Sequence, residues 1–155
     1  MIIKYMLLFC FFIFTINTHS QSKKLKNIYS ENNKIGIGTK YPDALLTVKG
    51  NIHTQEIMVD LNGAVTPDYV FETYYTSFSG LNPTYRFLSL KEIETFIKKN
   101  HHLPKIPSAK EMERNGLSLK EMNLLLLEKI EELTLFTIEQ QKEIDLLKQD
   151  QTKKQ

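Results

Sequence analysis

The stretch LKEMNLLLLEKIEELTLFTIEQQKEIDLL, residues 119–147, decides how the rest of the chain is read. It has no Pro or Gly and is rich in Leu, Glu and Lys, so it predicts one long helix. Ser118 with Glu121 forms a capping-box pattern at its start. With Leu119 at d, the heptad runs through Asn123 (a), Leu126 (d), Ile130 (a), Leu133 (d), Thr137 (a), Gln140 (d), Ile144 (a) and Leu147 (d). Those eight residues from Asn123 to Leu147 form an oligomerisation seam with a polar middle. Asn123 either fixes register within a coil or precedes it in solvent; the sequence leaves both open. Leu124, Leu125, Leu127, Leu135, Phe136 and Ile138 fall off the seam, so other elements are expected to pack against the upper half of the helix. Glu128, Glu131 and Glu132 read as its solvated face.

Upstream, two more capping boxes mark shorter helices. Ser89-Leu90-Lys91-Glu92 opens one whose Leu90, Ile93, Phe96 and Ile97 share a face, with Asn100 suited to its exit. Ser108-Ala109-Lys110-Glu111 opens another that Asn115-Gly116 closes. Between them His101-His102-Leu103-Pro104-Lys105-Ile106-Pro107 cannot continue a helix and is expected to be a stiff, extended connector. The aromatic stretch holding Tyr69, Phe71, Tyr74, Tyr75, Phe78, Tyr85 and Phe87 is expected to form core between the strand zone and the Leu90 helix. Were Tyr74 and Tyr75 in a strand, their side chains would take opposite faces, leaving one free as a surface-binding residue.

Residues 33–61 are strand-like. Ile35-Gly36-Ile37-Gly38 alternates, Leu46 and Val48 repeat the period, and so do Ile57, Val59 and Leu61; Tyr41-Pro42-Asp43 and Lys49-Gly50-Asn51 are turn signals. The first twenty residues read as an export signal: positive Met1–Lys4, an apolar run from Tyr5 to Ile16, then small residues up to a cut after Ser20. That run is shorter than the roughly 20 residues of a spanning helix. Cys10 lies inside it, where a lipidation cysteine would close it, so no lipid anchor is expected.

Composition restricts the function classes. The 155 residues are 41% hydrophobic and 25% charged, with Cys10 the sole cysteine. Once residues 1–20 are removed no disulfide is available, and packing and oligomerisation must supply stability. With 20 Lys and Arg against 18 Asp and Glu, the near-neutral chain has no general attraction to nucleic acid or to an anionic membrane. Gly36-Ile37-Gly38 is too short for a dinucleotide loop, and each of Ser89, Ser108 and Ser118 is accounted for by a cap. His53, His101 and His102 do not make a single-chain metal site, although symmetry could join copies of one His. The expectation is no catalytic, cofactor-binding or metal residue and no cofactor.

Two segments carry a resemblance. Lys34-Ile35-Gly36-Ile37-Gly38-Thr39 with Pro42, followed by Leu45-Leu46-Thr47-Val48-Lys49-Gly50-Asn51-Ile52, resembles a recurrent segment of bacterial tail-fibre-like surface proteins. Pro67-Asp68-Tyr69-Val70-Phe71, His102-Leu103-Pro104 with Ile106-Pro107-Ser108-Ala109, Glu121-Met122-Asn123 and Lys129–Leu135 resemble the module attached to that stem. The module is similar in layout to the endosialidase-type intramolecular chaperone domain of phage tail fibres and spikes, which registers three chains. Its self-cleaving members use a Ser in a Ser-Asp step, assisted by a Lys. This sequence has no Ser-Asp pair, and Val59–Gly63, where the module would begin, carries no Ser.

The resemblance therefore implies an exported assembly protein that is not an enzyme; self-cleavage and adhesin-like surface binding are the alternatives. The expected fold is α+β: a short β stem segment, then small helices and a long C-terminal coiled-coil helix, as a trimer. The expected divisions are a signal over 1–20, a polar tail over 21–32, the stem over 33–61, a mixed aromatic and helical module over 62–117 and the oligomerisation helix over 118–150. The expected partners are copies of itself, with an envelope protein or glycan as a further candidate. Nucleic acid is not expected, nor a membrane after signal cleavage. The final compartment is periplasm, cell surface or medium.

Overall fold

The computed structural model describes residues 26–153, so the expected export signal lies outside the described residues. Among the described residues the fold is α+β, with a three-stranded sheet and four helices. Two compact units divide between Ile57 and Met58.

In the first unit, β1 (Ile28–Glu31) and β2 (Lys34–Ile37) pair antiparallel with Ile28 opposite Ile37 and Glu31 opposite Lys34. Asn32 and Asn33 join them, both at positive φ, 48° and 60°. Two left-handed residues in a two-residue loop give the hairpin turn whose twist matches the strands, and Asn tolerates that region best after Gly. β3 (Leu46–Val48) pairs parallel to β2, with Ile35 opposite Leu46 and Ile37 opposite Val48. Its connection, residues 38–45, is shorter than the dozen or so residues usual between parallel strands. Thr47 closes it: its hydroxyl donates to Asp43 Oδ1 at 2.7 Å and accepts from the Asp43 and Ala44 N–H groups at 3.1 Å. The connection passes so close beneath the sheet that a Cβ on Gly36 would lie 2.3 Å from the Thr39 carbonyl oxygen.

The expectations for this region need two corrections. Ile28–Glu31, placed in the polar tail, is a strand, because Asn32-Asn33 supplies the hairpin. Conversely, Ile57, Val59 and Leu61 form no strand and are 41–53% exposed, since no neighbouring strand offers their backbone a ladder.

The second unit holds α1 (Tyr69–Thr76), α2 (Leu90–Asn100), α3 (Ala109–Asn115) and α4 (Leu119–Thr152). The first had no sequence signature; the Ser77 N–H bonds back to the Thr73 carbonyl and ends it. Ser89–Glu92 and Ser108–Glu111 form both halves of their capping boxes, and the Ser118 hydroxyl accepts the Glu121 N–H. Gly116, at φ 76°, follows α3 in a backbone region closed to most side chains. At 34 residues, α4 is about 51 Å long.

The connector between α2 and α3 turns back instead of extending. The Ile106 N–H bonds the Leu103 carbonyl at 3.2 Å, with Pro104 second in the turn and Lys105 third at φ 67°. Proline fixes the second position of such a turn, but a positive φ at the third is a strained choice for lysine.

The core of this unit lies where α1 meets α4: Tyr69, Val70, Tyr85 and Leu135 are buried, with Tyr74 and Phe87 packed against them. The Tyr69 and Tyr85 rings are 4.9 Å apart, as are Phe87 and Phe136. The aromatics thus pack on the terminal helix and not between a strand zone and the Leu90 helix. Leu135 is fully buried, so Leu135→Ala should lower unfolding free energy by about 2–4 kcal/mol in a urea titration. A loss below about 1 kcal/mol would mean that this contact is not the core.

Candidate functional site

The terminal helix has two faces of opposite character. Lys129 lies between two buried carboxylates, its Nζ 2.9 Å from Glu128 Oε1 and 2.8 Å from Glu132 Oε2. It is aligned to donate to both oxygens of Glu132, while its contact with Glu128 Oε1 is ionic. The other oxygen of Glu128 accepts the Tyr69 hydroxyl at 2.5 Å and the Lys105 ammonium at 2.9 Å. Tyr85 donates to Glu132 Oε1 at 2.9 Å, and Lys105 Nζ sits 4.4 Å from the centre of the Tyr85 ring. Farther along, Tyr74 donates to Glu139 at 2.9 Å. The strained 103–106 turn is what delivers Lys105, and α1 is what delivers Tyr69 and Tyr74.

The solvated-face reading of Glu128, Glu131 and Glu132 is therefore corrected: all three are buried, Glu128 to 1% exposure. A signal was present, because Leu135 and Phe136 share a helix side with Glu128 and Glu132, and a face carrying both is not plain solvent.

Titration follows from these contacts. Burial alone would push the Glu128 carboxyl up, but hydrogen bonds from Tyr69 and Lys105 and the charge of Lys129 hold it below the ordinary carboxylate value. Burial raises both phenols, reinforced at Tyr69 by its bond to Glu128 and at Tyr85 by the Glu132 charge, so each remains a donor. Glu131 is different. Its buried Oε2 has no hydrogen-bond partner, and burial together with the charges of Asp68 and Glu128 raises its pKa.

The opposite face carries the seam. Leu126, Ile130, Leu133, Ile144 and Leu147 are 44–64% exposed, and Asn123, Thr137 and Gln140 are also exposed. At 3.6 residues per turn this stripe lies about 160° round the helix from Glu128. The Asn123 amide bonds the Leu119 carbonyl of its own helix at 2.8 Å. Leu127, about 100° from the stripe, adds exposed apolar surface, whereas Leu146, about five whole turns from Glu128, is exposed on the Glu128 side. Beside the stripe, Leu90, Ile93, Leu103, Leu133 and Phe136 line an apolar cleft of about 220 Å³. Beyond Glu139 every described residue of the helix is exposed, a segment too short to hold helical form unaided.

The remaining candidates are separated. Tyr74 and Tyr75 lie on helix α1, not on a strand: Tyr74 is half-buried and bonded to Glu139, while Tyr75 is 67% exposed. His101 caps α2 at φ 60°, and the His102 ring packs edge-on to Phe96. Among the described residues no three His, Cys, Asp or Glu side chains converge as for a metal ion. Comparison with protein-family models, curated proteins and solved structures finds no match.

Two outcomes follow for the buried network. Lys129→Met leaves two desolvated carboxylates without their shared cation and should cost roughly 3–5 kcal/mol. Adding Glu132→Gln should return part of that loss; a neutral Lys129→Met would show that the ion pair is energetically idle. Glu131 gives the opposite sign. Its raised pKa means its contribution is intact below the ordinary 4.5 and is lost as pH rises through the folded value. Glu131→Gln should therefore melt higher than the unaltered protein at pH 7, with the advantage gone by about pH 4. A variant that melts lower at pH 7 would indicate that the ionised carboxylate is stabilising.

Proposed function

We propose that this chain is a non-enzymatic, exported structural and assembly protein of tail-fibre-like kind, joined as a trimer through α4. The observation that carries the reading is the stripe Leu126, Ile130, Leu133, Ile144 and Leu147, exposed along a helix whose other face is engaged by its own chain as far as Glu139. An apolar stripe that long is costly in water and is the surface a partner helix covers. Ile at a with Leu at d suits a two-stranded coil, but Leu127 and the cleft beside Leu133 add apolar surface that two helices would leave wet. Three helices cover more of it. The composition of residues 1–20 supports export, and no described helix is long and apolar enough to cross a membrane.

Sedimentation equilibrium of residues 21–155 at micromolar concentration should give three times the chain mass. A dimer mass would keep the assembly reading and change its stoichiometry; a folded monomer would remove it. Replacing Ile130 and Leu133 by Asp sets like charges around a desolvated axis, and should give a monomer with reduced helix content. Deleting residues 118–155 takes away both the seam and the packing partner of α1, so the truncated chain should lack a cooperative melt.

A second reading rests on Tyr75, whose ring stands exposed and edge-on to Tyr74 at 4.9 Å. An exposed tyrosine suits stacking on a glycan or contact with an envelope protein. Tyr75→Ala should then abolish glycan-array binding with the melt unchanged, whereas Tyr74→Ala should lower the melt through the lost Glu139 bond.

A further inference from the structure

The sheet of the first unit is covered on one side only. Pairing places Ile28, Ser30, Ile35, Ile37, Leu46 and Val48 on one face, and Tyr29, Glu31, Lys34, Gly36 and Thr47 on the other. The second face is covered at its centre, where the 38–45 connection runs under Gly36 and is tied to the buried Thr47, while Glu31 at its edge is exposed. The first face is open. Ile28, Ile35, Ile37 and Leu46 are 38–57% exposed, five of its six residues are aliphatic, and none is charged. No aliphatic side chain of this unit is buried among the described residues, so the sheet has no core of its own, and three short strands need one.

The size of the face limits what can cover it. Four half-exposed aliphatic side chains offer on the order of 200 Å², against about 800 Å² per partner in a stable complex of separate proteins. A free partner would not stay on so small a patch. An occupant already held nearby needs far less area, because tethering raises its effective concentration to the millimolar range. A chain whose copies are joined through α4 supplies such an occupant in the same face of its neighbours, and an uncharged aliphatic face meets its own copy without electrostatic cost.

We infer that the Ile28–Ile35–Ile37–Leu46 face is a second interface between copies of this chain, formed when α4 has joined them, and that burying it against itself supplies the missing core of the β unit. The inference rests on the assembly reading of α4. The order of events is fixed by area: the helix associates first, and the sheet face follows.

The test uses the full chain carrying Cys10→Ser, so that an introduced thiol stands alone. Ile35→Cys puts a thiol at the centre of the open face, and Glu31→Cys puts one at an exposed position on the other face. Under mild oxidation Ile35→Cys should give covalent dimers, reaching about two thirds of the chain in a trimer, while Glu31→Cys gives at least fivefold fewer. Sedimentation of the same samples separates the two claims. An oligomer in which Ile35→Cys links no better than Glu31→Cys overturns the sheet interface and leaves the helix assembly standing; a monomer overturns both. Hydrogen exchange gives a second reading without a change in the sheet. Amides of residues 28–37 should be protected in the oligomer and lose that protection at least tenfold in a monomeric Ile130→Asp, Leu133→Asp variant. Equal protection in both would mean that the face is covered within one chain, and would also overturn the inference.

Discussion

The grip of Lys129 on Glu128 and Glu132 is the constraint from which the helical unit follows. Two carboxylates removed from water require a cation and hydrogen-bond donors close by, and only a defined set of groups can supply them. Lys129 comes from the same helix, but Tyr69, Tyr85 and Lys105 must be brought from elsewhere. Bringing Tyr69 sets α1 against α4, and bringing Lys105 requires a turn in which lysine takes a left-handed backbone. The aromatic rings that carry the donor hydroxyls then bury Val70 and Leu135 beside the charges. Polar pairing fixes the geometry; the apolar contacts that follow supply much of the free energy.

The consequence is an inverted helix. An amphipathic helix ordinarily turns leucines inward and glutamates outward. Here α4 turns Glu128, Glu131 and Glu132 toward its own chain while Leu126, Ile130 and Leu133 face away. Taken as a monomer this is a poor arrangement, with an unpartnered carboxylate on one side and a wet apolar stripe on the other. A partner on the seam, as proposed above, would cover the stripe.

How much of this was legible in the sequence depended on the range of the interaction. Local chemistry read well: Ser89, Ser108 and Ser118 each open a helix, and Gly116 follows the close of α3. The eight seam residues fall on one exposed face because helical periodicity alone determines it. What failed depended on distant partners. Apart from Glu72, Tyr69–Thr76 is made of Tyr, Val, Phe and Thr, which favour strands, and docking onto α4 makes it helical. Glu128 and Glu132 looked solvated because nothing adjacent announces the tyrosines 59 and 47 residues upstream. Ile57, Val59 and Leu61 have strand periodicity without a neighbouring strand, and periodicity does not supply the hydrogen bonds.

The polar side also explains how an apolar stripe can be kept available. A helix with leucines around much of its circumference has several nearly equivalent ways to pack against its own chain, most of which would hide the seam. Rotating α4 by half a turn would bury Leu126, Ile130 and Leu133 beneath α1 in exchange for Leu135 and Phe136, so apolar contact alone does not choose between the two orientations. The same rotation would carry Glu128 and Glu132 away from Tyr69, Tyr85 and Lys105 and release those donors unpaired into an apolar contact. Each lost charged hydrogen bond in a buried setting costs about 1.5–3 kcal/mol, and three would be lost together. A buried ion pair often adds little net stability over apolar packing, and its attested use is to select one register among several. In this helix it selects the orientation that faces Leu126, Ile130 and Leu133 outward, so a network that adds little net stability decides which surface remains exposed.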